Sequence, residues 1–307
     1  MRKLKWLAIV ILSLIFLTLI LASFINQPES LSNSNKSQTP TEEKQTEEEK
    51  PVPKEKEQEE EPVEKEQEGT LGEGLREAFS SVIEGAKALF VEEDLKIVAI
   101  GDSLTQGVGD RTDNGGYVGI LEETLNSNIE GEDINIENYG KRGNRTDHLL
   151  ERMEEEEMAS SIEEADIVLV TIGANDMMNV VKNNFTSLNY EDFAAEQAGY
   201  EKRLHEVMQR IEELNPDAPF YLIGLYNPFS KYFDNIPELT QIINEWNRIG
   251  KEVVSEHDQA VFIPIKDIFA GKLDEYLWKQ DHFHPNEKGY KQIAKRVLEV
   301  IRPEIEK

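Results

Sequence analysis

After Glu93 the chain alternates short, uninterrupted apolar runs with stretches of helical periodicity, and this alternation restricts the possible folds more than any other feature of the sequence. The runs are Ile97–Ile100, Ile134–Ile136, Ile167–Ile172, Phe220–Leu225 and Val261–Ile265. Most are continuous rather than alternating, the pattern of parallel strands covered on both faces. Helical spacing is clearest around residues 117–126, 146–158, 193–214, 238–256 and 286–300. Strands and helices taking turns in this way predict an α/β domain over residues 94–307. It should have a parallel sheet of about five strands, helices on both sides, and a ligand crevice at the C-terminal strand ends.

The first 93 residues are of a different kind. Arg2, Lys3 and Lys5 mark residues 1–5 as a basic stub, and residues 6–25 carry no charge, with Ser13, Thr18 and Ser23 their polar side chains. At about 1.5 Å per residue such a helix spans the ~30 Å hydrocarbon layer, and the leading cations place its start in the cytoplasm and the rest of the chain outside. A cleaved signal peptide is the competing reading, with Ile20-Leu21-Ala22 as a poor cleavage site, and it implies export equally. Residues 26–69 are rich in Glu, Lys, Gln, Pro, Ser and Thr and nearly empty of large apolar groups, so they predict a disordered acidic linker. Leu71, Leu75, Phe79, Val82, Ile83, Ala86, Leu89 and Phe90 recur at helical spacing, which predicts an amphipathic lead-in helix over residues 70–93.

The formal charge of -28 argues against nucleic acid, which requires a concentrated Lys/Arg surface. Cysteine is absent, so disulfides, thiolate metal sites and a cysteine nucleophile are excluded.

Gly101-Asp102-Ser103-Leu104 ends the first run, where a serine projects into the crevice of an open α/β sheet. At the far end of the chain, Asp281-His282-Phe283-His284-Pro285-Asn286 precedes the last helical stretch. A carboxylate three residues before a histidine on a turn can accept from its Nδ1–H, leaving Nε2 to take a serine proton. A metal site would need more ligands than Asp281, His282 and His284 supply, and a simple helix-capping role for His284 is the plainer alternative. Two more polar segments follow strands, Asn138-Tyr139-Gly140-Lys141-Arg142-Gly143-Asn144 and Gly173-Ala174-Asn175-Asp176. A glycine N–H and an asparagine amide suit an oxyanion, although each segment read alone is an ordinary turn.

Together these four segments resemble the SGNH (GDSL-type) hydrolase family, whose serine, glycine, asparagine and histidine occur in this order in GDSL, the glycine segment, GxND and DxxH. The resemblance covers roughly residues 95–300. It implies a flavodoxin-like three-layer α/β/α sandwich with no cofactor and no metal. It implies Ser103 as nucleophile, His284 as base and Asp281 as its orienting acid, with an oxyanion hole of Ser103, Gly143 and Asn175. Asp102 and Asp176 are read as loop supports. Residues 177–192 and 226–237 are read as loops, from which Met177, Phe185, Tyr226 and Phe229 are the candidates to line a substrate pocket, together with Trp278. The function expected is a monomeric, membrane-tethered serine hydrolase acting outside the cell on acyl-lipid or short-chain carboxylic esters. O-acetyl esterase action on envelope carbohydrate, or an inactive domain kept as a binding module, are the alternatives.

Overall fold

The computed structural model describes residues 95–112, 115–127, 134–184, 186–187, 189–231 and 236–305. The expected basic stub, anchor, linker and lead-in helix (residues 1–5, 6–25, 26–69 and 70–93) lie outside the described residues, and so does Phe185. Among the described residues no helix is long and apolar enough to cross a membrane.

Five strands, β1 (Ile97–Gly101), β2 (Ile136–Gly140), β3 (Ile167–Thr171), β4 (Phe220–Ile223) and β5 (Ala260–Ile263), form one sheet in the order β2-β1-β3-β4-β5. Every neighbouring pair is parallel. The three central strands are buried at every position, which is why they read as continuous apolar runs. β2 is an edge strand with Glu137 and Asn138 exposed, so the apolar signal at Ile134–Ile136 marks only its start and the strand itself runs four residues further.

Short α1 (Ser103–Gln106) and then α2 (Gly116–Asn126) follow β1. α3 (Thr146–Arg152) and α4 (Glu156–Glu163) replace the single helix expected over 146–158. The break falls at Met153–Glu155, where Met153 closes the first helix and Glu155 opens the second. After β3 the structure forms α5 (Ala174–Asn183) where a loop was expected, then α6 (Tyr190–Leu214). The capping box of Asn189 and Asp192 sets the start of α6. α7 (Pro237–Val254), the short α8 (Lys266–Phe269) and α9 (Leu273–Tyr276), and α10 (Glu287–Ile305) complete the domain.

Strand alternation sends the side chains to two helix layers. Val98, Ile100, Val168, Val170, Phe220 and Leu222 join one cluster with Leu149, Leu204, Met208 and Trp246 of α3, α6 and α7. Tyr200 stacks on Trp246 with ring centroids 5.5 Å apart. α2 and α10 pack on each other and form the layer on the other face.

The crossing from β1 into the site depends on a glycine. Gly101 has φ +143°, and a Cβ there would stand 2.1 Å from the Thr171 carbonyl oxygen. Gly101→Ala is therefore expected to lower unfolding free energy by about 3 kcal/mol or more. Gly143→Ala, whose Cβ would meet nothing within 4 Å, should cost only the backbone strain of φ +81°, about 1–2 kcal/mol. Urea titration of the two variants tests this, and equal losses would refute the clash.

Candidate active site

Ser103 begins α1 directly beyond the C-terminal end of β1, in the interior of the sheet. The turn that carries it is held against β3. Asp102 N–H donates to the Thr171 carbonyl at 3.0 Å, and Asp102 Oδ1 accepts from the Thr171 hydroxyl at 3.0 Å and from Leu104 N–H at 2.9 Å. The Thr171 hydroxyl also meets Thr105 Oγ1 at 2.7 Å, and Thr105 Oγ1 lies 3.0 Å from the Tyr117 hydroxyl. Ser103 is 8% exposed, so the turn presents its hydroxyl with little freedom.

His284 reaches this turn from the segment before α10. Its Nε2 lies 2.9 Å from Ser103 Oγ, and its Nδ1 lies 2.5 Å from Asp281 Oδ2. The other Asp281 oxygen accepts from the backbone N–H of Phe283 at 2.9 Å and of His284 at 3.0 Å. Trp278 N–H donates to the His284 carbonyl at 2.8 Å, the Asn286 amide donates to the carbonyls of Glu275 and Leu277, and the Tyr226 hydroxyl donates to the Phe283 carbonyl at 2.5 Å. Burial pushes the Tyr226 phenol well above its usual range, so it stays a donor. His282, at φ 51°, is exposed on the same turn.

The two carboxylates beside this chain are shifted in opposite directions. Burial would raise Asp281, but the hydrogen bond and charge of His284, with two backbone N–H groups, hold it below the usual carboxylate value. Asp102 is 3% exposed, and burial outweighs its hydrogen bonds from Leu104 and Thr171, raising it to about 6.

Two further loops are laced to the serine turn. After β2, Lys141 N–H and the Asn144 amide both donate to the Gly101 carbonyl, at 3.0 and 3.2 Å, and Arg142 N–H donates to Gln106 Oε1 at 2.6 Å. Gly143 sits exposed between them in the left-handed conformation. Asn175, in the first turn of α5, donates its side-chain amide to the Asn144 carbonyl at 2.8 Å, which ties the third loop to the second. Asp176 is buried under them, accepting from Thr146 and paired with Arg203. Burial raises its carboxyl despite those partners.

A cleft of about 40 Å³ opens beside Ser103 and His284, between the C-terminal ends of β3 and β4. Its apolar wall comes from Leu104, Ile172, Met177, Ile223, Leu225, Tyr226, Ile243 and Phe283. Of the expected pocket residues, Met177 and Tyr226 line it and Phe229 and Trp278 do not. Phe229 stands behind Phe283, ring centroids 6.1 Å apart, and Trp278 braces the histidine segment through its backbone. The expectation for those two is corrected accordingly: neither is in the cleft wall. Thr171, Gln106, Asn144 and Arg203 were not singled out in the sequence. Thr171 had a signal, being the single hydroxyl in an otherwise apolar run. Among the described residues no group of three or more acidic or histidine side chains converges as a metal site.

The model of the GDSL-like lipase/acylhydrolase family matches residues 99–292. The uncharacterized protein YpmR of Bacillus subtilis (strain 168) is 37% identical over 214 residues, spanning 69% of this chain and 84% of that protein. The spore germination lipase LipC of Bacillus licheniformis is 25% identical over 207 residues, spanning 66% of this chain and 94% of that protein. In three dimensions the chain resembles the lipase Lip_vut3 from a goat rumen metagenome with a TM-score of 0.60 at 24% identity, over 69% of this chain and 98% of that one.

The raised carboxyl of Asp102 has a thermodynamic signature. A carboxyl whose folded value (about 6) exceeds its ordinary 3.8 adds stability that is fully present below the ordinary value and lost as pH rises through the folded one. Asp102→Asn keeps the accepting oxygen and removes the titration. The variant should therefore gain on the parent as pH goes from 4 to 8, by up to about 3 kcal/mol. Urea melts at both pH values measure this, and a pH-independent difference would contradict it.

Proposed function

This chain belongs to the GDSL-like lipase/acylhydrolase family, that of the SGNH hydrolases, and we propose that it hydrolyses short-chain carboxylic esters through an acyl-enzyme on Ser103. The observation that carries this reading is the unbroken hydrogen-bonded series Ser103–His284–Asp281. Ser103 Oγ attacks the ester carbonyl carbon while His284 Nε2 takes its proton. The oxyanion is held by the backbone N–H groups of Ser103 and Gly143 and by the Asn175 amide. Collapse of the intermediate breaks the bond to the alcohol, which leaves with the proton from His284. Water then attacks the acyl-serine with His284 as base, releasing the acid and restoring Ser103. Asp281, ionised at neutral pH, orients the imidazole and stabilises its protonated form.

The preference for short acyl groups rests on the cleft. At about 40 Å³ it has room for roughly three or four water molecules, on the measure by which one takes ~10–15 Å³. Its apolar wall suits the tail of an acetyl to butyryl group. Acetyl transfer from envelope carbohydrate to water fits the same cleft and is the second reading. The uncharged run 6–25 behind leading cations supports a catalytic domain tethered outside the cytoplasm, which protease shaving of intact cells tests.

Ser103→Ala and His284→Ala should each remove nearly all activity toward p-nitrophenyl acetate without loss of fold, since members of such a unit act together. Asp281→Asn should be milder. Asn175→Ala should lower kcat by roughly 10²–10³. Activity that survives Ser103→Ala would sink the assignment, as would sensitivity to His282→Ala with tolerance of His284→Ala. Along the p-nitrophenyl series, kcat/KM should peak between two and four acyl carbons; a maximum at eight or more would overturn the short-acyl reading.

A further inference from the structure

The two loops that carry the assigned oxyanion donors Gly143 and Asn175 converge on a side chain that neither loop contains. Thr146, the first residue of α3, lies three positions after Gly143, and Asp176 directly follows Asn175 in α5. Both are buried. Asp176 Oδ2 accepts from Thr146 N–H at 3.0 Å, and its Oδ1 accepts from the Thr146 hydroxyl at 2.5 Å. Arg203, on α6, reaches both partners: its Nε donates to Thr146 Oγ1 at 2.8 Å and its Nη2 to Asp176 Oδ1 at 3.2 Å. Glu196, two turns earlier on α6, accepts from the same Nη2 at 2.6 Å. α6 packs on both α3 and α5. One turn before Arg203, Tyr200 closes against Gly173, where a Cβ would stand 2.5 Å from the phenol oxygen.

Asp176 brings a carboxylate into the interior, where a charge without a cation is costly. Burial raises its carboxyl, while the Thr146 hydrogen bonds and then the hydrogen bond and charge of Arg203 act the other way. Without Arg203, burial would favour the neutral carboxyl, a weaker acceptor for the Thr146 N–H and hydroxyl. The junction between the β2 and β3 loops would loosen beside Asn175, whose amide is bonded to the Asn144 carbonyl at 2.8 Å. An oxyanion donor works only where it is held in advance, and displacement by about 1 Å costs on the order of a hundredfold in rate.

Resting on the esterase reading, we propose that Arg203 is a positioning residue for the reaction: through Thr146 and Asp176 it clamps the β2 loop to the β3 loop and so holds Gly143 N–H and the Asn175 amide at the spacing the oxyanion requires. Arg203 is not in the cleft wall and acts through Asn175 rather than on the ester. Its guanidinium uses two different nitrogens for the two partners, a planar fork that a lysine ammonium reproduces only in charge.

A double-mutant cycle in the full chain tests this, with p-nitrophenyl acetate as substrate. Arg203→Gln should lower kcat by about 10- to 100-fold and leave KM within about twofold, and Arg203→Lys should recover part of the loss. In the Asn175→Ala background the same substitution should cost less than about threefold further, because the donor it positions is already gone. An equal factor of loss in both backgrounds overturns the proposal, since a general weakening of the fold would act whether or not Asn175 is present. A loss confined to KM overturns it as well. If the glutamine variant does not fold, Arg203→Lys carries the same cycle. The rate at which an alkyl fluorophosphonate labels Ser103, with fluoride leaving, separates this proposal from the esterase reading, because the phosphoryl oxygen takes the oxyanion position without any ester being cleaved. Labelling slowed by Arg203→Gln only while Asn175 is present supports the clamp even if no ester is hydrolysed. Labelling indifferent to Arg203 overturns the clamp even if esters are hydrolysed, and a parent chain in which Ser103 is neither labelled nor active overturns both.

Discussion

The contact between the Gly101-Asp102-Ser103 turn and Thr171 holds the rest of the site in place. Asp102 continues the β1–β3 ladder by one more hydrogen bond from its N–H, and its side chain then takes the Thr171 hydroxyl and caps α1. Gly101 is held from both sides, paired with Gly140 on one and Thr171 on the other. With the serine turn pinned there, the Gly101 carbonyl becomes the anchor for the β2 loop, and that loop in turn receives Asn175 from the β3 loop. Three strand ends thus hold one another through backbone atoms and a few amides.

The architecture was legible in the sequence where burial is complete. Parallel strands covered on both faces must be apolar throughout, so the runs near Ile97, Ile167 and Phe220 announced β1, β3 and β4. It was less legible at the edge, where β2 exposes Glu137 and Asn138 and its apolar signal stops as the strand begins. The helix Ala174–Asn183 was hidden for a different reason. Its opening Ala-Asn-Asp reads as a turn, and the sequence does not reveal that Gly173 is left-handed and that Asp176 finds Thr146 and Arg203.

The side chains that meet beside the cleft were easier to find than those that shape the space around it. Ser103, His284 and Asp281 lie in short motifs, whereas Phe229 and Trp278 were picked for aromatic character and do not line the cleft. The cleft is built instead from ordinary core residues such as Ile223 and Ile243, whose place in its wall depends on how strands and α7 stack. The carboxylates make the same point: Asp102 and Asp281 are chemically alike, and their environments alone move one up to about 6 and the other down.

The hydrogen bond between Ser103 and His284 joins residues 181 positions apart. The serine turn belongs to the first strand of the domain, and the histidine is followed by α10, whose Tyr290 hydroxyl reaches back to the Val108 carbonyl at 2.7 Å. A contact of such long sequence separation carries a large loop-closure entropy and needs both ends of the chain present. A ribosome that makes this chain from its N-terminus must therefore release nearly the whole domain before Ser103 and His284 can meet. A half-made chain that ends before His284 therefore lacks this hydrogen bond.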